Sequence, residues 1–146
     1  LAMRGLRTLS VRLKQHQANA LKVAQWLATR EEVDTILHPA FESCPGHQYF
    51  ERDFTGANGL FSFILSRGDQ ASVDQLLDGM RHFKMGYSWG GFESLILANC
   101  HVGRLRTATQ WTHQYPLIRL HIGLEDVDDL IDDLKAGFER LNLASS

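Results

Sequence analysis

The sequence predicts a two-layer α/β sandwich with a mainly antiparallel sheet. Apolar residues recur at helical spacing at both ends of the chain and once in its middle. Between them lie short runs rich in β-branched and aromatic residues, none followed by a glycine-rich phosphate loop. The resulting order of helix, strand, strand, helix, strand, strand, helix packs most economically with helices laid on such a sheet.

Leu6, Leu9, Leu13, His16, Ala20, Val23 and Leu27 alternate spacings of three and four, which predicts one helix over residues 1–29 with a single buried stripe. Residues 33–37 read as a strand ended by His38-Pro39. Residues 40–58 are loop-like, with Cys44-Pro45-Gly46 and Gly56-Ala57-Asn58-Gly59 as breakers around one helical turn. Residues 59–65 carry aromatic and branched side chains at every other position and between, as a strand buried on both faces would. A helix over 69–83 places Val73, Leu76, Leu77, Met80 and Phe83 on the core side.

Residues 94–98 form another strand, 99–116 an irregular loop, and 117–122 a strand of clear alternation. The last helix buries Val127, Leu130, Ile131, Leu134, Phe138 and Leu141. Asp128, Asp129, Asp132 and Asp133 are assigned to its solvated face, and Glu125 and Asp126 to its positive end. The Asp cluster lacks the glycine turn of a calcium loop, and the histidines offer no metal spacing.

At 146 residues, 44% hydrophobic and 22% charged, the chain can build one core. Its net charge of −2 hides six Lys or Arg and no acid in residues 1–30, against six acids in residues 125–133. The cations are dispersed and the rest of the chain is acidic, which argues against a nucleic-acid footprint and for solvated faces or an interdomain contact. No apolar run approaches the roughly 20 residues of a membrane span. Cys44 and Cys100 read as free thiols in a reducing, cytoplasmic compartment. The start at Leu1, already inside a helical pattern, reads as a piece of something longer.

Chemistry concentrates in two places. In Leu117-Ile118-Arg119-Leu120-His121-Ile122, the aliphatics point one way and Arg119 and His121 the other. An arginine in an apolar strand must find an acceptor or reach water, and its planar fork matches a carboxylate. Strand pattern alone leaves open an anion clamp, a pair with an internal acid, or simple exposure. The second place is Gly86-Tyr87-Ser88-Trp89-Gly90-Gly91-Phe92-Glu93-Ser94, which displays rings, a hydroxyl and backbone amides on a bend. By itself it fits a pocket wall or a packed corner equally.

Four ordered blocks then carry a resemblance: Arg4-Gly5-Leu6-Arg7-Thr8-Leu9 with Val11-Arg12-Leu13, Asp53-Phe54-Thr55-Gly56, Tyr87 to Leu95, and Leu117 to Asp126. Together they resemble the carboxy-terminal domain of the cysteine/methionine-metabolism enzymes that use pyridoxal phosphate, over essentially the whole chain. Trp89 and His121-Ile122-Gly123 are similar to the β-lyase branch; γ-lyases and synthases usually carry Leu and Ser-Val-Gly there.

The resemblance implies the small domain of a fold-type I enzyme, with residues 1–30 as a long helix leading in from a large domain and 31–146 as a substrate-carboxylate domain. It implies pyridoxal 5'-phosphate, bound mainly by that large domain, and an amino-acid thioether substrate. The reaction would be β-elimination of L-cystathionine to homocysteine, pyruvate and ammonia, a step of methionine biosynthesis, in a tetrameric homo-oligomer. Arg119 would clamp the α-carboxylate, Ser88 and Trp89 would line the same pocket with Tyr87 close by, and Glu93 and Ser94 would brace the turn. Lys14, Lys22, Lys84 and Lys135 match no cofactor-linking motif, so no catalytic or cofactor-binding residue is expected here, and the chain alone is expected to be inactive. An amino-acid-binding regulatory module using Arg119, and a structural oligomerisation piece built on the 6–27 stripe, are the rival classes.

Overall fold

The computed structural model describes residues 1–144. The chain runs α1 (Ala2–Arg7), α2 (Leu9–Leu27), β1 (Val33–Leu37), α3 (His47–Asp53), β2 (Leu60–Leu65), α4 (Gln70–Asp78), β3 (Lys84–Met85), β4 (Leu95–Asn99), α5 (Val102–Leu105), β5 (Leu117–His121) and α6 (Val127–Ala144). The strands form one sheet in the order β1-β2-β5-β4-β3. Every pairing is antiparallel except β3 with β4. The two-layer sandwich with a mainly antiparallel sheet is the observed fold.

Alternation in β5 does what the pattern requires: Ile118, Leu120 and Ile122 are fully buried, beside Ile96, Phe61 and Phe63. From the helix layer Ala20, Val23, Ala24 and Leu27 of α2, Val73 and Leu76 of α4, and Leu130, Leu134, Phe138 and Leu141 of α6 close this core. Each buried Leu, Ile or Phe contributes roughly 1.5–3 kcal/mol relative to exposure, so this cluster dominates folding.

Several expectations change. The first helix is not continuous: the chain breaks at Thr8 (φ −109°, ψ 4°) between α1 and α2. Only the second half of its stripe is buried; Leu6 is 64% exposed and Leu13 41%, because no other described element passes over α1 and the start of α2. α3 is two turns rather than one. Burial of β2 on both faces holds at Ile64 and Leu65, whereas Leu60 and Ser62 are half-exposed. α4 stops at Gly79, so buried Phe83 and half-buried Met80 reach the core from the turn beyond it. The two-residue strand β3 and the short α5 stand where no element was predicted.

Asp133 overturns the assignment to a solvated face. It is 1% exposed, and its carboxylate accepts the backbone N–H groups of Arg81, His82 and Phe83 at 2.7–3.1 Å. Its spacing was consistent with burial, three after Leu130 and four before Gly137, but a carboxylate enters a core only where donors wait for it. The acidic last helix also meets the basic first one: Lys22 of α2 reaches Asp128 at 2.7 Å, an exposed pair.

Cys44 and Cys100 are free thiols, each half-buried. Among the described residues, no helix is long and apolar enough to cross a membrane, and no group of three or more His, Cys, Asp or Glu could hold a metal ion.

Candidate functional site

Arg119 lies in mid-sheet, opposite Ser62 of β2 and Leu97 of β4. These three share the face turned away from the helices, because neighbouring strands in register present opposed residues to one side. Arg119 is half-buried there. Its Nη2 donates to the carbonyl oxygens of Gly86 (3.3 Å) and Tyr87 (2.9 Å). Among the described residues no carboxylate pairs with it, so its charge is not neutralised within the chain. The guanidinium borders a hollow of about 260 Å³ that is lined by Tyr87, Leu97, Asn99, Leu105 and Leu117. One cation among aliphatic walls is the arrangement expected of a site for a small anion with an apolar body.

The bend beside it is anchored at three points. Upstream, Asp133 holds residues 81–83, from which β3 runs parallel to β4 and delivers the chain to Gly86. Downstream, Ser94 N–H and Oγ–H donate to the two carboxylate oxygens of Glu125 (2.7 and 2.8 Å), and Ser94 Oγ accepts Gly123 N–H (2.8 Å). Ser94 thus braces the turn; Glu93 is exposed and takes no part in that knot. Glu125, read from the sequence as a dipole partner of the last helix, is committed to Ser94 instead. Asp126 does cap that helix, its carboxylate accepting Asp128 N–H at 2.8 Å.

The middle anchor is His121. Its Nε2–H donates to Gly91 O (3.0 Å), while Gly90 N–H lies 3.2–3.3 Å from both ring nitrogens. Gly90 adopts φ +86°, a conformation only glycine takes without strain. Burial pushes the His121 imidazole below its ordinary range; its bond to Gly91 opposes that shift and the nearby His16 adds to it. From α2, His16 Nδ1–H donates to Ile122 O at 2.7 Å and Asn19 donates to Gly123 O and Glu125 O, both at 3.3 Å. His16, read from the sequence as one more apolar position, is therefore a polar pin between α2 and the end of β5.

The structure brings Arg119 and Tyr87 together directly. Ser88 and Trp89 occupy the next two positions of the bend, both exposed, and neither lines the hollow. Ring surface on this bend is extensive: Tyr87 is 86%, Trp89 57% and Phe92 69% exposed. Leu97, Asn99 and Leu105 were not singled out in the sequence, because nothing local marks which loop closes over a strand face. All four lysines are exposed, and Lys22 and Lys84 bond to Asp128 and to Arg81 O.

Residues 1–139 match the family model described as Cys/Met metabolism PLP-dependent enzyme. The chain is 54% identical over 141 residues to a cystathionine beta-lyase of Haemophilus influenzae, covering 94% of this chain and 36% of that protein. It is 52% identical to the cystathionine beta-lyase MetC of Escherichia coli, with the same coverage. Among solved structures, cystathionine gamma synthase from Xanthomonas oryzae pv. oryzae, in complex with aminoacrylate and cysteine, superposes with a TM-score of 0.81 at 35% identity. That superposition covers 97% of this chain and 37% of the synthase. The chain spans little more than a third of the length of the curated relatives it matches.

Proposed function

The chain belongs to the Cys/Met metabolism PLP-dependent enzyme family, and we propose that it is the carboxy-terminal part of a carbon–sulfur lyase. In this reading the whole enzyme cleaves L-cystathionine, with water, to homocysteine, pyruvate and ammonia. The observation that carries the proposal is Arg119: a charged fork on an open sheet face, bound among the described residues to two backbone carbonyls and bordering a hollow with largely aliphatic walls. Identity to two cystathionine beta-lyases above 50% supports the choice of substrate.

Pyridoxal phosphate, when bound, supplies the electron sink for charge left at the substrate's α-carbon. This chain's share is to hold the substrate. Arg119 grips the α-carboxylate with its guanidinium N–H groups, and the carbonyls of Gly86 and Tyr87, which take Nη2, keep the guanidinium aimed. A fixed carboxylate fixes the rotation about the α-carbon, and orientation of that kind lowers a barrier by several kcal/mol. Ser88 and Trp89 extend the pocket from the bend, with Tyr87 beside the fork. The aliphatic walls at Leu97, Leu105 and Leu117 suit a thioether body.

The lysine that carries the cofactor, and the cofactor's phosphate site, belong in this reading to a large domain in the rest of the polypeptide, acting in the cytoplasm as a homo-oligomer. Residues 1–30 lead in from that domain. The apolar side chains left open on α1 and the first half of α2, with Tyr49 and Phe54 nearby, are the surface it covers.

The test is Arg119→Lys in the full-length enzyme. Lysine keeps the charge and loses the fork, so kcat/KM for cystathionine falls on the order of 100-fold while the thermal midpoint holds. Unchanged kcat/KM would remove the assignment. Residues 1–146 alone release no pyruvate from cystathionine; measurable release would refute the division of the site between two domains.

A further inference from the structure

His121 reaches across thirty residues of sequence to the glycine pair that follows Trp89. Its Nε2 faces the carbonyl oxygen of Gly91, and a carbonyl only accepts, so Nε2 carries the proton. Gly90 N–H then stands 3.2–3.3 Å from both ring nitrogens. Equal separation from two atoms of one ring places the amide over the ring's nitrogen edge, not in line with a single lone pair. A neutral imidazole attracts an N–H there; an imidazolium, positive over its whole surface, repels it.

The ring is itself immobilised. It is 2% exposed, and it lies 5.4 Å from the His16 ring, which is tied to Ile122 O. Gly59 closes the remaining side, where any Cβ would press on the His121 ring and on Ile122 O. At the other end of the latch, an added Cβ at Gly90 or Gly91 would meet nothing. Of the three anchors of the bend this ring holds the middle one, and along the chain Ser88 and Trp89 lie between Gly90, which it holds, and Tyr87, whose carbonyl is bound by Arg119.

We propose that His121 is the positioning residue of the substrate-carboxylate site: its neutral ring latches Gly90 and Gly91 and so sets where Ser88 and Trp89 stand relative to Arg119. The proposal rests on the reading of Arg119 as the carboxylate clamp. Protonating the ring turns the Gly90 contact from attraction to repulsion, so the latch opens on acidification. The charged and titratable groups around the ring are His16 from α2, Glu125 after β5 and Arg119 on β5 itself. Glu125 favours the proton and the other two oppose it.

The experiment uses the full-length enzyme with cystathionine, comparing wild type, His121→Asn, Gly90→Ala and Arg119→Lys across pH 5 to 8.5. In His121→Asn, KM rises about 10-fold, as loss of roughly one hydrogen bond's worth of positioning implies. In the same variant kcat changes little, and the acid limb of kcat/KM moves to lower pH or vanishes. Gly90→Ala strains the bend from its other end, where side-chain space is open. It raises KM to a similar extent while keeping the acid limb, and it keeps the test valid if His121→Asn folds poorly. If His121→Asn or Gly90→Ala leaves KM at the wild-type value while Arg119→Lys lowers kcat/KM on the order of 100-fold, the latch is overturned and the clamp stands. If Arg119→Lys is also silent, the clamp itself has failed. An acid limb identical in wild type and His121→Asn overturns the latch's dependence on the neutral ring.

Discussion

The carboxylate of Asp133, in the middle of α6, accepts the backbone N–H of Phe83 at 3.1 Å, fifty residues earlier in the chain. The same oxygen takes His82 N–H at 2.7 Å, and both oxygens take Arg81 N–H at 3.0 Å. One side chain so satisfies the donors of a turn that follows α4 and precedes the bend at Gly86. Asp133→Ala removes both acceptor oxygens and leaves these three N–H groups without their partner. The expected loss is about 1–3 kcal/mol of stability, read as a lower urea midpoint with unchanged slope. Asp132→Asn, one residue away and exposed, should leave the midpoint where it is.

Gly123 is held by close approach and not by its dihedral angles. A Cβ there would run into Phe92 O, the Glu93 carbonyl carbon and the Glu125 carboxylate. Two of those contacts are backbone that is itself hydrogen-bonded through Leu124 N–H to Phe92 O at 2.9 Å. Gly123→Ala therefore costs about 1–3 kcal/mol and displaces the downstream end of the bend. A thermal scan and the KM of the full-length enzyme should both register it.

Acid should weaken the fold through His38. This ring is fully buried, edge-on to Phe41 and Phe61, and its Nδ1 accepts Ala40 N–H at 3.1 Å. Burial holds its pKa below the ordinary 6.5. The unfolded chain then binds the proton more readily than the folded one, so the stabilisation is complete above about pH 6.5 and drains away as pH falls toward the folded value. His38→Asn keeps an acceptor for Ala40 and cannot take up a proton. Urea midpoints at pH 7.5, 6 and 5 should fall less steeply in that variant than in the wild type.

The open apolar face along α1 and the start of α2 predicts the behaviour of residues 1–146 on their own. Leu6, Leu9 and Leu13, on the stripe, stand exposed or only partly covered among the described residues. Such a patch binds apolar dyes and promotes association. The double change Leu6→Gln and Leu9→Gln should cut dye binding severalfold while leaving the folding stability within about 0.5 kcal/mol of the original, since neither side chain is buried.

Read along the chain, the fold class was legible because its signals are local. The alternation of residues 117–122 can only be a strand with Arg119 and His121 on one side. The stripe from Val127 to Leu141 can only be a helix with a buried face. Arg119 stood out because a cation in an apolar strand needs a reason. Those inferences depend on periodicity and on single-residue chemistry, which a sequence states outright.

What tertiary structure alone decided is which surfaces meet. Asp133 and Asp132 are neighbours with the same chemistry, yet only one is swallowed, because residues 81–83 arrive beside it with three open N–H groups. Leu13 and Ala20 belong to one stripe, yet only Ala20 is covered, because the described sheet and α6 end before Leu13. His121 gained its partners from Gly90 and Gly91, some thirty positions away, and from His16, more than a hundred away. Backbone preference acts over about four residues; burial and hydrogen bonding depend on what the rest of the chain brings alongside.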